Sequence, residues 1–365
     1  MPIKELFALF AVSGFTCIIL TLLFRSLAIK TGFVNIHSFK KLSTDKVPLM
    51  GGAAIYLSVL LVTAGCIIFV LLNSKFNFIP SLNTYFIPNL PGMLKKLKLL
   101  AAIFGGGLII VIGGLYDDKY NIKPSSKIIL QLVAASVPII FGVRLSLFLG
   151  NTFYSYLVTY FWFLLVINSF NLLDNADGLS AGVALVSALT FIFISVRMGE
   201  LFISSMLFIF AGCILGFLMF NFNPASIFMG DAGSMFLGYM LAVFTILGTY
   251  YTQESYTLFP ILMPILVLAV PLYDTVTVIA VRIYKGVSIF APDKNHFSHR
   301  LMRLGLSYKT AITFIYIICL CTGIAAIVLP EVDNTCSALL IMSQVILILF
   351  IISILEYFGS KNGKQ

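Results

Sequence analysis

Runs of about 20 apolar residues, parted by short polar segments, recur along the whole chain. Each run is long enough to cross a hydrocarbon core of ~30 Å as a helix. The pattern predicts eleven spans, at about 6–28, 51–73, 98–115, 127–143, 153–173, 179–196, 201–220, 234–251, 258–283, 310–329 and 335–357. The expected fold is therefore all-α: a polytopic membrane protein of about 11 transmembrane helices, forming one integral-membrane unit over residues 1–365. The first span follows Lys4 and Glu5 and has no small-residue cleavage site after it, so it reads as a retained helix rather than a signal peptide. Two long polar loops, about 29–50 and 284–309, fall on the same side.

Composition agrees with this pattern. Hydrophobic residues make up 60% of the chain and charged residues 10%, with a mean hydropathy of +1.06. A soluble domain carries roughly a quarter charged residues. Of the 23 Lys and Arg residues, 16 lie on the side of the two long loops and 7 on the other. Basic residues stay on the cytoplasmic side, which predicts an N-terminus outside and a C-terminus in the cytoplasm. The net charge of +9 is then accounted for by topology and attraction to anionic lipid, with no nucleic acid partner. Cysteines 17, 66, 213, 319, 321 and 336 lie in or beside apolar spans without metal-ligand spacing, and read as core residues.

The acidic residues are few enough to place singly. Asp117 and Asp118 end a glycine-rich span in GGLYDDKYNIKPSSK; Asp174 and Asp177 lie in NSFNLLDNADGLS; Asp231 lies in FMGDAGSMF. Each could merely cap or terminate a helix. Five carboxylates at three helix mouths on one side, flanked by Asn, Gly and Ser, ask for more than capping. Mg²⁺ uses such oxygens, typically one or two carboxylates plus substrate phosphates. The amides of Asn168, Asn171 and Asn221 suit sugar or phosphate oxygens, or the orienting of carboxylates. Zinc lacks a Cys/His set, and the triple glycine at 105–107 lacks the Gly-Lys-Ser/Thr ending of a phosphate loop.

Cations stand nearby. The loop YKGVSIFAPDKNHFSHRLMRLGLS carries Lys285, Lys294, His296, His299, Arg300 and Arg303, and holds two of the chain's three histidines. Lys40, Lys41 and Lys46 precede Pro48-Leu-Met-Gly51-Gly52, and Lys127 opens a span near the aspartate pair. Asp274 lies well inside a span, where carboxylates are costly and usually functional. Arg282 follows eight residues on, so a structural role in orienting the basic loop is an equal reading.

These motifs together resemble the polyprenyl-phosphate N-acetylhexosamine-1-phosphate transferases, the family that includes phospho-MurNAc-pentapeptide transferase. The likeness spans nearly the full length: a lysine loop ending in P-L-M-G-G, the D-D pair, N-x-x-N-x-x-D-x-x-D-G-L, F-M-G-D-x-G-S and the late histidine loop. It implies transfer of a sugar 1-phosphate from a UDP-sugar to undecaprenyl phosphate, releasing UMP, in the bacterial cytoplasmic membrane with the active site facing the cytoplasm. It implies Mg²⁺, with Mn²⁺ as a substitute, held by Asp117 and Asp231, and Asp118 on the lipid-phosphate side. It implies phosphate contacts for Lys46 and Lys127, a nucleotide wall of Asn171, Asp174, Asp177 and Asn221, and diphosphate contacts for His296, His299 and Arg300. One departure stands out. The family's H-x-H-H is here His296-Phe-Ser298-His299, so the middle position cannot carry charge.

The PDKNHFSHRL wording is closest to the undecaprenyl-phosphate GlcNAc-1-phosphate transferase branch, making UDP-GlcNAc the favoured donor. UDP-MurNAc-pentapeptide or a UDP-N-acetyl-6-deoxyhexose remain open, as does a homodimer. A phosphate monoester is already largely dianionic at neutral pH, its second pKa being about 6. Positioning and charge neutralisation should then dominate over a strong base. A single displacement is expected, with a two-step route through an Asp–phosphosugar adduct as its rival. A transporter reading fits poorly, because its sites tend to lie near the midplane between repeats.

Overall fold

The computed structural model describes residues 3–35, 47–145, 151–248, 258–290 and 296–362. Thirteen α-helices account for nearly all of it: α1 (Ile3–Thr31), α2 (Gly51–Phe76), α3 (Pro80–Tyr120), α4 (Pro124–Ile140), α5 (Thr152–Leu173), α6 (Leu179–Arg197), α7 (Leu201–Asn221), α8 (Gly230–Leu247), α9 (Met263–Val267), α10 (Ala269–Tyr284), α11 (Phe297–Arg303), α12 (Tyr308–Val328) and α13 (Thr335–Asn362). A two-residue antiparallel pair, β1 (Val34–Asn35) and β2 (Val47–Pro48), closes the base of the first long loop.

Nine helices are long and apolar enough to cross a membrane among the described residues, and the bent pair α9–α10 adds a tenth if it is one span. The chain is a multi-pass membrane protein. The remaining expected span is α4, whose 17 residues sit at the short limit for crossing. Its segment was expected to run to residue 143, but the helix stops at Ile140, just past Pro138, and turns through Gly142.

Two other elements differ from expectation. Residues 74–97 were expected to be mostly loop, whereas α3 begins at Pro80 and runs 41 residues, about 60 Å. Pro88, Pro91 and the lysines at 95, 96 and 98 lowered the apolar signal there. The helix nevertheless continues, with the Lys96 ammonium resting 4.2 Å from the centre of the Phe202 ring on α7. The expected span 258–283 is broken by a 70° bend at Leu268. Pro271 removes a backbone donor, and its ring displaces the carbonyl four residues earlier, at Val267, where α9 ends.

The architecture has a centre. Of the long apolar helices, α8 is the most buried and α1 and α13 are the least. Around α8 pack α2, α3, α5 and α6, while α1 and α7 pair beside them and α12 lies on α6. Cys17, Cys213 and Cys319 are buried as expected, but Cys321 and Cys336 are exposed. Lipid and core are equally apolar, so hydropathy alone cannot tell a lipid-facing position from a buried one.

Three helix ends meet backbone to backbone where the acidic motifs lie. A Cβ on Gly52 of α2 would fall 2.2 Å from the Gly233 nitrogen, and one on Gly114 of α3 would fall 2.3 Å from the Ala232 Cα. Only glycine allows that approach. The free amides that begin α2 are satisfied across the junction: Gly51 and Gly52 donate to the carbonyls of Phe228 and Met229, each at 3.0 Å. Phe228 in turn donates to Pro48 O of β2 at 2.8 Å.

Candidate active site

The end of α3, the start of α4 and the start of α8 thereby share one small volume. Asp117, buried in the last turn of α3, meets the Lys127 ammonium at 2.5 Å through Oδ2. Lys127 is held near the start of α4, where Pro124 stands in the first turn and needs no donor. Its Nζ also donates to Asp231 Oδ2 at 2.7 Å. Asn171, in the last turn of α5, donates through Nδ2 to Asp231 Oδ1 at 2.8 Å and to Ser234 Oγ at 3.0 Å. Side chains of α3, α4 and α5 thus gather with Asp231 at the start of α8.

Asp118, expected on the lipid-phosphate side, faces the start of α8. Its Oδ1 accepts from the Asp231 amide at 2.8 Å and its Oδ2 faces the Ala232 amide at 3.5 Å. Its carboxylate therefore caps α8 from another helix, where the helix dipole favours negative charge. Asp118 sets the position of Asp231 through the backbone that carries it.

The NSFNLLDNADGLS stretch ends α5 and turns into α6. Leu173 is the last helical residue, Asp174 is the C-cap, and Gly178 takes a φ of 76° before α6 begins at Leu179. The acids therefore do not continue around a helix. Asp177 Oδ2 accepts from Asn223 Nδ2 at 3.0 Å and from the Ala225 amide at 3.3 Å, binding the turn to the loop before α8. Tyr308 of α12 donates to Asp177 O at 3.3 Å. Asn221 is buried, with Oδ1 accepting from the Gly178 amide at 3.1 Å and Nδ2 donating to Ile227 O at 2.9 Å. Both ends of that amide serve the backbone, so Asn221 shapes the wall from behind. Asn168 lies a turn before Asn171 on α5. Its Nδ2 donates to Gln131 Oε1 on α4 at 2.7 Å, with the reciprocal bond at 3.3 Å.

The histidine loop is anchored to the bent span. Asp274 of α10 is fully buried; its Oδ1 accepts from the Phe297 amide at 2.6 Å and its Oδ2 lies 3.1 Å from His296 Nδ1. The His299 ring centre lies 6.5 Å from that of His296. Arg300 lies 3.8 Å from Asp274 Oδ1, donates to Thr277 Oγ1 at 2.9 Å and pairs with Glu356 of α13 at 3.0 Å, fastening α11 to α10 and α13. Arg282 is buried and donates to Ile289 O at 2.5 Å, shaping the chain after α10. Ser298, at the departing position of the motif, is buried and donates to Asn175 Oδ1 at 2.5 Å. Lys46 lies outside the described residues; the next two residues, Val47 and Pro48, form β2.

Sequence reasoning missed Gln131, Asn175 and Glu356 as parts of this frame. Gln131 was legible as an amide in the middle of an apolar run. Glu356 was one of only 14 acidic residues, placed at the end of the last span. Nothing in the sequence pairs it with Arg300.

Among the described residues no group of three or more His, Cys, Asp or Glu side chains forms a cage for a metal ion. Two carboxylate oxygens, of Asp117 and Asp231, do converge on a single cation, the Lys127 ammonium. That donor set fits Mg²⁺ shared with a diphosphate, which needs one or two carboxylates and completes its shell with phosphate and water. It does not fit a metal held by protein alone.

An apolar helical bundle with a carboxylate, amide and lysine cluster at one mouth defines an integral-membrane enzyme rather than a conduit. The glycosyl transferase family 4 model matches residues 100–249, which contain Asp117, Asp118, Lys127, Asn171, Asp174, Asp177, Asn221 and Asp231. The chain is 35% identical over 363 residues to the "Probable undecaprenyl-phosphate N-acetylglucosaminyl 1-phosphate transferase" of Bacillus subtilis (strain 168), covering 97% of this chain and 92% of that protein. It is 33% identical to the decaprenyl-phosphate N-acetylglucosaminephosphotransferase of Mycolicibacterium smegmatis, covering 87% and 80%. It is 29% identical to the undecaprenyl-phosphate alpha-N-acetylglucosaminyl 1-phosphate transferase of Escherichia coli O157:H7, covering 91% and 84%. The chain belongs to glycosyl transferase family 4 and is a phosphotransferase.

Proposed function

We propose that this protein transfers N-acetylglucosamine 1-phosphate from UDP-GlcNAc to undecaprenyl phosphate at the cytoplasmic face of the bacterial inner membrane, releasing UMP. The observation that carries the reading is the convergence of Asp117, Lys127, Asn171 and Asp231 at one mouth of the bundle. The relatives' names contain a polyprenyl phosphate acceptor and an N-acetylglucosamine phosphate group.

A lipid-phosphate oxygen attacks the sugar-bearing β-phosphorus, the bond from that phosphorus to the bridging oxygen breaks, and UMP leaves with that oxygen. Bound Mg²⁺, held by Asp117 and Asp231, would neutralise charge on the diphosphate. Lys127 supplies a second positive charge between two anions that otherwise repel, and shifts from the carboxylates onto phosphate as substrate enters. Asn171 holds Asp231 at a fixed angle through its Oδ1. Asp118 keeps the first amides of α8 satisfied, so the peptide beneath Asp231 does not move. The turn at 174–178 and the His296–His299 helix form the donor side. Among the described residues of the cluster, Asp118 is occupied by backbone amides, and Asp117 and Asp231 share a lysine. That arrangement favours a single displacement.

The test uses purified protein in lipid with Mg²⁺, undecaprenyl phosphate and a panel of UDP-N-acetylhexosamines, measuring UMP. UDP-GlcNAc should give the fastest release, and omission of the lipid acceptor or chelation of Mg²⁺ should stop it. A stoichiometric burst of UMP without acceptor would instead establish the adduct route, and preference for another sugar would replace the donor.

A further inference from the structure

One buried acid has no part in the transfer as just described. Asp274 lies inside the bent span with its side chain 1% exposed, far below the cost-free environment of a charged group. An ionised carboxylate can only accept hydrogen bonds. Since Oδ2 lies 3.1 Å from His296 Nδ1, the ring proton belongs on Nδ1, and Nε2 is the ring's remaining polar atom. The other oxygen takes the Phe297 amide, one of the free donors that begin α11, so ring and helix are aimed by the same carboxylate. Arg300 lies 3.8 Å from Asp274 Oδ1 and pairs with Glu356, whose carboxylate also accepts from Tyr273. Among the described residues, the charged groups linked to His296 through Asp274 are thus the Arg300 guanidinium and the Glu356 carboxylate, with the His299 ring at 6.5 Å.

The α10–α11 pair is docked on α5 and the turn that follows it. Ser298 donates to Asn175, and Thr275, next to Asp274, donates to Ser169 on α5 at 2.9 Å, two residues before Asn171. Because Ser298 is buried and its hydroxyl is committed, it sets the seating of the helix.

We propose that Asp274 is a positioning residue for the donor site. It fixes His296 with its proton on Nδ1, so that the ring takes a second proton from solvent at Nε2 when the diphosphate binds. One N–H then points into the buried carboxylate and the other onto a phosphate oxygen, a charge-assisted bond stronger than a neutral one. This rests on the donor reading above. An Asn at 274 that keeps the Phe297 amide on its oxygen turns an NH₂ toward Nδ1. The ring proton then moves to Nε2, and the buried negative charge that supports the imidazolium is lost.

The experiment compares full-length wild type, Asp274→Asn, His296→Gln and the double variant in lipid nanodiscs. With three histidines in the chain, ¹⁵N-histidine spectra can be assigned by single substitution. The wild type should show His296 protonated on Nδ1, and on both nitrogens after UDP-GlcNAc and Mg²⁺ are added. Asp274→Asn should show the proton on Nε2 and no second protonation. Its kcat/KM for UMP release should fall on the order of tenfold to a hundredfold, and the double variant should be no slower than His296→Gln alone. An unchanged His296 signal in Asp274→Asn overturns the proposal, as does multiplication of the two losses in the double variant, since a scaffold acid would act independently of the ring. If the wild type releases UMP from no UDP-sugar, the donor reading fails, while the ligand-free spectra still decide whether Asp274 holds the Nδ1 proton.

Discussion

At the scale of single residues, the site is a contest among anions settled by one lysine. Lys127 touches Asp117 at 2.5 Å and Asp231 at 2.7 Å, and the Asp117 side chain is only 4% exposed. Removing one partner of a buried pair leaves uncompensated charge and costs roughly 3–5 kcal/mol. Lys127→Met should therefore lower the unfolding temperature, by thermal melts in detergent, as well as abolish UMP release; unchanged melting would mean that the pair is not formed. Asp231→Asn keeps an oxygen for Asn171 but loses the charge that holds Lys127. Its Mg²⁺-dependent turnover should drop at least about 100-fold, the scale of losing a preorganised charge contact. Turnover near that of the wild type would remove Asp231 from the site.

At the scale of elements, the site depends on how closely helices approach. Gly114 and Gly52 let α3 and α2 touch the backbone of α8, which brings Asp117 and Asp231 to one lysine. Gly114→Ala puts a methyl group 2.3 Å from Ala232 Cα, and overpacking of this kind costs about 1–3 kcal/mol. Melting temperature and UMP release should fall together. Gly105→Ala, on the same helix with its nearest neighbour 3.7 Å away, should leave both near wild type. Equal effects from the two substitutions would show that helix propensity, not the close approach, governs the response. The broken span follows the same logic: the bend at Leu268 ends one helix early and lets α10 carry Asp274 beside the histidine helix.

At the scale of the whole molecule, polarity separates one end of the bundle from the other. The aspartate cluster, the 174–178 turn, the base of the first long loop and the histidine helix are joined by hydrogen bonds at one end, the end that carries the excess of Lys and Arg. That distribution sets the expected orientation, N-terminus outside and C-terminus inside. In a cysteine-free background, Tyr284→Cys, at a 93% exposed position after the bent span, should react with a membrane-impermeant maleimide only after the cells are opened. Asp333→Cys, exposed before α13, should react in intact cells. The reverse pattern would invert the topology and place the chemistry outside.

The sequence by itself determined the class of fold and most of the chemistry. Apolar run length and the excess of basic residues are additive along the chain, so they can be read without knowing any contact. The acidic motifs were legible for a related reason: charge is expensive in a membrane, and each aspartate at a helix mouth stands out against hydrocarbon. What the tertiary structure decided were the partners. That Asp118 caps α8, that Asn221 is spent on the backbone, that Arg300 answers Glu356 and Ser298 answers Asn175, all depend on residues 43 to 123 positions apart meeting in space. Hydrogen bonds act over about 3 Å and only at set angles, so a pattern along the chain can show that a polar group needs a partner but not which one it finds.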